Sequence, residues 1–218
     1  MENSENGSND INLLSEYLPG LTEHEESKFK EFYDILCHFN KRINLVSRSS
    51  LNSSGRKHFS DSYMGVKLFD ETFIPGSTVY DFGSGNGFPG VVAAIMHPGT
   101  KFILVERDKR KSEFMRFLCE ELGLGNVILH MGSASQLKEE SVKLGMSRAM
   151  APLPKMLLEM RPLFENGGKL FLFKGDHWET ELGSCPPQIF DIWNVELKGQ
   201  YVIPSLDMDR FILECTRI

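Results

Sequence analysis

The residues best placed to do chemistry lie in one stretch, Asp81-Phe-Gly-Ser-Gly-Asn-Gly-Phe-Pro-Gly90, where four glycines (Gly83, Gly85, Gly87 and Gly90) fall within eight positions. Glycines at such density let the chain turn tightly and let a ligand approach the backbone. Gly85-Asn-Gly87-Phe-Pro-Gly90 satisfies the GxGxxG spacing of dinucleotide sites, although a bare match discriminates poorly. Asp81 stands just ahead of the first glycine, and Glu106 stands 19 residues beyond Gly87. A carboxylate at the second position can accept hydrogen bonds from both hydroxyls of an adenosine ribose. It marks a nucleoside site without choosing the cofactor.

Elements of a particular kind must position these groups. From Ser77 onward short apolar runs alternate with helical segments. Thr78–Asp81, Lys101–Glu106, Val127–His130, Met146–Met150 and Lys169–Lys174 read as strands, with Val195–Val202 and Phe211–Thr216 as two further candidates. Helices are expected from about Phe88 to Met96, from Lys109 to Leu122 and from Pro152 to Phe164. This alternation predicts an α/β, doubly wound, mostly parallel sheet with ligand at the carboxyl ends of its strands. Upstream, Thr22-Glu-His-Glu25 has capping-box spacing, and Phe29, Phe32, Tyr33 and Leu36 recur at helical intervals, so residues 23–39 form a helix. His58–Phe69 reads as another. The chain therefore divides into a disordered polar tail (1–8), a helical extension (9–75) and the ligand-binding domain (76–218).

Composition bounds the function. The 218 residues carry 24 Lys plus Arg against 30 Asp plus Glu, a net charge of −6, which by itself disfavours nucleic acid as a partner. The average hides a segregation. Nine acids precede Ile35, whereas Ile35–Ser60 holds no acid and five cations: Lys41, Arg42, Arg48, Arg56 and Lys57. Charge segregated on this scale creates a local positive field on an acidic protein. Cys37, Cys119, Cys185 and Cys215 are too scattered for a zinc site or a disulfide framework and read as thiols of a reducing cytoplasm. Neither a secretion signal nor a membrane span is expected.

The order Asp81…Gly83…Gly85…Gly87 is similar to the first motif of class I S-adenosylmethionine-dependent methyltransferases. Over roughly 180 residues the chain further resembles the bacterial small-subunit ribosomal RNA guanine-N7 methyltransferases, once called glucose-inhibited division protein B. Phe39-Asn-Lys-Arg-Ile-Asn-Leu-Val-Ser47, His58-Phe-Ser-Asp-Ser62, the loop with its Gly-Phe-Pro-Gly90 tail, Leu104-Val-Glu106, Lys109-Arg-Lys-Ser-Glu-Phe114, Gly123-Leu-Gly-Asn126, Ser147-Arg-Ala149 and Lys174-Gly175 carry the resemblance. It implies a Rossmann-like fold, S-adenosylmethionine as cofactor and 16S ribosomal RNA, or the small subunit, as partner, with neither metal nor membrane. It implies cofactor contacts at Gly83 and Phe88, at Ala134-Ser135 and at Arg148, beside Asp81, Gly85, Gly87 and Glu106. The chain departs from the family pattern at Ser133 and Ser135, where an arginine and an acid are usual.

Guanine N7 keeps an in-plane lone pair at neutral pH, so no general base is needed and no catalytic residue is assigned. In RNA helices N7 faces a groove that side chains enter poorly, so the base must be unpaired or extruded. A bidentate arginine on O6 and N7 would cover the reacting atom. Candidate RNA contacts are Asn40, Asn44, Arg48, His58, Arg148 and Lys174. Asn40 and Asn44 can equally brace the end of the first helix, and His58 with Asp61, one helical turn apart, can form a purely structural pair. Two rival classes stay open: a nicotinamide-dependent oxidoreductase, on the literal GxGxxG, and a non-catalytic RNA-binding or assembly factor with a decayed pocket, on Ser133 and Ser135.

Overall fold

The computed structural model describes residues 10–47, 50–51, 53, 55–204 and 206–218, with the backbone alone at Asp10 and Arg56. The expected tail over 1–8 and the candidate Arg48 lie outside the described residues.

The amino-terminal part is helical. Short α1 (Leu14–Tyr17) leads to α2 (Glu23–Asn40). Thr22 starts α2 with the full capping box: its Oγ1 accepts from Glu25 N–H at 3.2 Å and its own N–H donates to Glu25 Oε2 at 2.8 Å. The apolar face Phe29, Phe32, Tyr33 and Leu36 is buried. The helix expected over 58–69 is different. A π-helical stretch, Gly55–Ser60, precedes α3 (Asp61–Lys67), its wide turn closed by Ser60 Oγ donating to Gly55 O at 2.9 Å. Such π turns are uncommon and recur at functional sites.

The rest forms a seven-stranded sheet: β1 (Thr78–Phe82), α4 (Gly90–Met96), β2 (Lys101–Glu106), α5 (Lys109–Glu121), β3 (Val127–Met131), β4 (Val142–Arg148), α6 (Leu153–Met160), β5 (Phe164–Lys174), α7 (Trp178–Gly183), β6 (Trp193–Ile203) and β7 (Met208–Arg217). Its order is β3-β2-β1-β4-β5-β7-β6. The first five strands are parallel, and β7 runs antiparallel to both neighbours. The order reverses between β1 and β4, so the loops after these two strands open into one crevice.

Several boundaries differ from expectation, and two of them bear on the crevice. β4 begins at Val142 and ends at Arg148, which puts Ala149 and Met150 in the crevice loop rather than in the strand. α6 stops at Met160 instead of Phe164, because Pro162 has no N–H and disfavours helix at the residue before it. Phe164 then opens β5.

One aromatic core joins extension and sheet. Phe88 stacks on Phe32 (centroids 4.8 Å apart, 16° between planes) and meets Phe59 edge-on at 4.9 Å. Phe69 stacks on Phe171 at 4.2 Å. Fully burying such a ring contributes about 1.5–3 kcal/mol, so the extension is held mainly by these contacts. Among the described residues no three His, Cys, Asp or Glu side chains gather as metal ligands, and no helix is long and apolar enough to cross a membrane.

Candidate functional site

The loop after β1 turns through three glycines in the left-handed region, among them Gly85 at φ +56°, a conformation that costs other residues about 1–2 kcal/mol. There the Gly85 N–H donates to Glu106 Oε2 at 2.9 Å, while Glu106 Oε1 accepts from Asp108 N–H at 2.8 Å. One carboxylate thus ties the β1 loop to the β2 loop. Glu106, Gly83 and Gly85 border a cavity of about 640 Å³, closed on its other sides by Ala134, Ser135 and the Ala149–Ala151 segment.

Asp81 lies beneath this loop rather than in the cavity wall. It is fully buried, and its Oδ2 accepts from the Gly90 N–H at 3.1 Å. A Cβ on Gly90 would fall 2.4 Å from that oxygen, so glycine is what lets the helix start sit on the carboxyl group. Asp81 Oδ1 has no partner, and burial pushes the carboxyl pKa up to about 7.

A second cavity, of about 660 Å³, lies across the Ala149–Ala151 segment from the first. Lys57, His58, Asp61, Arg148, Lys174 and Arg210 bring charge and polarity to it. Arg148 is its fixed centre: Nη1 donates to Asp61 Oδ2 at 2.7 Å, Nη2 donates to His58 Nδ1 at 3.0 Å, and the guanidinium carbon lies 5.5 Å from the Phe88 ring centre. Because His58 Nδ1 accepts, the ring proton sits on Nε2. Burial and the Arg148 charge together lower the His58 pKa to about 3. Asp61 Oδ1 accepts from the Tyr201 hydroxyl at 2.7 Å and faces Arg210 Nε at 3.6 Å. Ala149, where the two cavities meet, holds φ +53°, which stores of order 1–3 kcal/mol of strain in a non-glycine residue.

The sequence of residues 25–190 matches the family model of the rRNA small subunit methyltransferase G proteins. The chain belongs to this family. Among curated relatives it is similar to Ribosomal RNA small subunit methyltransferase G 3 of Bdellovibrio bacteriovorus, 30% identical over 191 residues that cover 88% of this chain and 86% of the relative. It is also similar to Ribosomal RNA small subunit methyltransferase G of Christiangramia forsetii, 37% identical over 147 residues (66% and 67%). Solved structures share the fold at low identity. An MtNAS variant in complex with S-adenosylmethionine superposes with TM-score 0.57 at 15% identity, covering 97% of this chain and 92% of that one. The YcgJ protein of Bacillus subtilis does so with 0.54 at 12% (71% and 98%). The mostly parallel, doubly wound fold is therefore shared with these structures.

For a member of the rRNA small subunit methyltransferase G family, the expected site residues distribute unevenly. Gly83, Gly85, Glu106, Ala134 and Ser135 gather round the first cavity. Gly87 packs inward, where an added Cβ would meet Phe32 at 2.9 Å. Phe88 is buried between Phe32 and His58 and borders neither cavity. Arg148, named for the cofactor by family resemblance, lines the second cavity instead. Ser133 and Ser135 bond to each other, Oγ to Oγ at 3.0 Å, within a small capping box closed by Gln136.

The candidates for RNA also separate. His58, Arg148 and Lys174 come together in the second cavity; Asn40 and Asn44 do not. Asn40 Oδ1 accepts from Leu45 and Val46 N–H at 2.8 and 3.0 Å, bracing the chain beyond α2, and Asn44 is exposed. Lys174 is paired with Glu181 Oε2 at 2.7 Å. His58 and Asp61 do not bond to each other; each binds Arg148. Tyr201 and Arg210 are not legible as site residues in the sequence. They face one another across the β6–β7 ladder, and nothing local in the sequence marks a pair so formed.

Proposed function

We propose that this chain transfers the methyl group of S-adenosylmethionine to N7 of an unpaired guanine in small-subunit ribosomal RNA, in the cytoplasm. One observation carries the reading: a glycine-loop cavity and a cation-lined cavity abut along Ala149–Ala151, at the switch point of a methyltransferase sheet.

The first cavity fits the cofactor. Its size is within the range of small-molecule sites, its floor is backbone of the glycine loop, and Glu106 presents a carboxylate at the end of β2 with lone pairs left over for a ribose. Gly83, Gly85, Ala134 and Ser135 would hold the rest. When bound, S-adenosylmethionine supplies a methyl group activated by a sulfonium.

This chain's own work is positioning. Ala149, Met150 and Ala151 line both cavities, so the acceptor can reach the donor over that edge. No residue has to remove a proton, because guanine N7 already carries a lone pair in its plane; His58, with its pKa near 3 and its Nδ1 engaged, remains neutral. Both Nη atoms of Arg148 are engaged by Asp61 and His58, which disfavours a bidentate clamp over the reacting atom. Bringing two reactants into register in this way supplies several kcal/mol of a transfer barrier.

Labelled S-adenosylmethionine incubated with unmodified small-subunit RNA, free or in particles, tests the proposal. Label recovered as 7-methylguanosine is the expected product; label confined to another base or position overturns it.

A further inference from the structure

We propose that the RNA beside the acceptor base runs along one cationic face of the protein, from Arg107 and Lys111 at the first cavity, past Lys109 and Arg110, to Lys41 and Arg42 at the end of α2. The proposal rests on the methyltransferase reading above and names the surface on which that substrate lies.

The cations of the second cavity are largely spent inside the protein, Arg148 and Arg210 on Asp61 and Lys174 on Glu181. Among the described residues none of the six named above enters an ion pair, whereas Arg116, later on α5, pairs with Glu120 at 3.4 Å. Lys111 is half-buried and the other five are exposed. The acids nearest to them are engaged elsewhere. Glu106 accepts from Gly85 and Asp108 N–H, and Asp108 Oδ1 accepts from Arg110 and Lys111 N–H at 2.9 and 3.1 Å.

This charge stands against the preference of its own helix. The first turn of α5 holds Lys109, Arg110 and Lys111 and no acid, at the end where the macrodipole favours negative charge. By contrast α2 opens with Glu23, Glu25 and Glu26. A polyanion laid across the side chains reverses that cost. Asp108 already takes two of the first N–H groups, so side chains and not the helix backbone form the surface.

The two cationic groups share one face. Phe39, two residues before Lys41, packs on Phe114 and Phe117 of α5, with ring centres 5.4 and 5.0 Å apart. Phe117 is 39% exposed and stands two helical turns, about 10 Å, beyond Arg110. Cations for phosphates with an open ring among them suit a single-stranded nucleic acid better than an acidic protein. Arg107 and Lys111 border the cavity that Ala149–Ala151 also lines, so a strand held here passes the place where acceptor meets donor.

The test is binding of a short unpaired guanine-bearing RNA, read as the slope of log affinity against log salt. Lys109→Gln and Arg110→Gln should each lower that slope by about one and the double variant by about two, alike for different RNA sequences. Lys41→Gln with Arg42→Gln, on the other element, should lower it by about two as well. Lys101→Gln removes the same charge from an exposed site at the amino end of β2, away from the crevice, and should leave the slope unchanged. Lys109 and Arg110 do not line the cofactor cavity, so adenosylhomocysteine should bind their variants within about twofold of the unmutated protein. The melting temperature of the Lys109/Arg110 double variant should hold or rise, because cations leave the unfavourable end of α5. A lower slope in a protein at least as stable does not come from misfolding.

An unchanged slope in both double variants overturns the proposal, and so does an equal drop in Lys101→Gln, which would make overall charge the cause. Poly-glutamate displacing the RNA at equal charge concentration would give the face to an acidic protein and likewise overturns it. None of these readings needs turnover. If the slopes fall as expected but no 7-methylguanosine forms, it is the assigned reaction that fails and not the RNA-binding face.

Discussion

Asp61 and Arg148, 87 residues apart in the chain, meet at 2.7 Å with only 8% and 15% of their side chains exposed. The other Asp61 oxygen accepts from Tyr201, whose phenol burial and the Asp61 charge hold in its protonated, donating form. One carboxylate on α3 therefore joins the end of β4 to the β6–β7 hairpin. The crevice owes its shape to that junction as much as to the glycine loop.

Asp61→Asn should cost about 3–5 kcal/mol, the penalty for leaving a buried charge without its partner. Tyr201→Phe removes one hydrogen bond to a charged group and should cost about 1.5–3 kcal/mol. Urea unfolding with unchanged slope and a shifted midpoint measures both. An Asp61→Asn midpoint within about 0.5 kcal/mol of the unmutated protein would contradict the role of the junction.

His58 and Asp81 should pull the pH dependence of stability in opposite directions. His58 has its folded pKa lowered to about 3 from 6.5, so it contributes stability above pH 6.5 that is lost as pH falls toward 3. Asp81 has its folded pKa raised to about 7 from 3.8, so its contribution is present below pH 3.8 and is lost as pH rises toward 7. Each has a limiting slope of about 1.4 kcal/mol per pH unit. Between pH 4 and 6.5 the two oppose one another. Relative to the unmutated protein, His58→Gln should gain stability as pH falls through that window and Asp81→Asn should gain it as pH rises. Melting curves at four pH values decide the signs, and parallel behaviour of the two variants would refute the assignment.

Local chemistry was legible in the sequence, and distant pairing was not. The Thr22–Glu25 box, the glycine loop and Glu106 at its strand end each act within a short stretch, so spacing alone locates them. Phe88 looked like a pocket residue because it sits in the loop, yet its ring turns inward onto Phe32. His58 and Asp61 share a helical face, which suggested a bond between them; the π turn and the arrival of Arg148 from β4 redirect both. Tyr201 and Arg210 reach the crevice only through an antiparallel register that no local pattern encodes. The family motifs carried the cofactor and the RNA further than composition could, since the net charge of −6 pointed away from nucleic acid.

Glu106→Gln should separate cofactor binding from folding. A neutral amide offers one acceptor oxygen, so it cannot receive both the Gly85 and Asp108 N–H groups as the carboxylate does. Losing one charge-assisted bond and the ribose contact should lower adenosylhomocysteine affinity about ten- to hundredfold in calorimetry. The melting temperature should fall only slightly, because both bonds are only partly buried. Undiminished affinity would place the ribose elsewhere.

Glu181 on α7 does two things with one oxygen: Oε2 accepts from the Leu153 N–H at 2.7 Å, at the start of α6, and from Lys174 Nζ at 2.7 Å. No side chain from Pro152 caps α6, so Glu181 fills that place from another element. Glu181→Ala should therefore cost about 1–2 kcal/mol, as loss of a helix cap does. It should also release the Lys174 charge into the second cavity and tighten RNA binding at low salt, with a steeper salt slope. Lys174→Met, by contrast, removes a cation that is already neutralised and should leave that slope almost unchanged. Filter binding at 50 and 200 mM salt distinguishes the cases. Weaker RNA binding in Glu181→Ala at low salt, with the variant still folded, would mean that Lys174 holds RNA through its present geometry rather than being withheld from it.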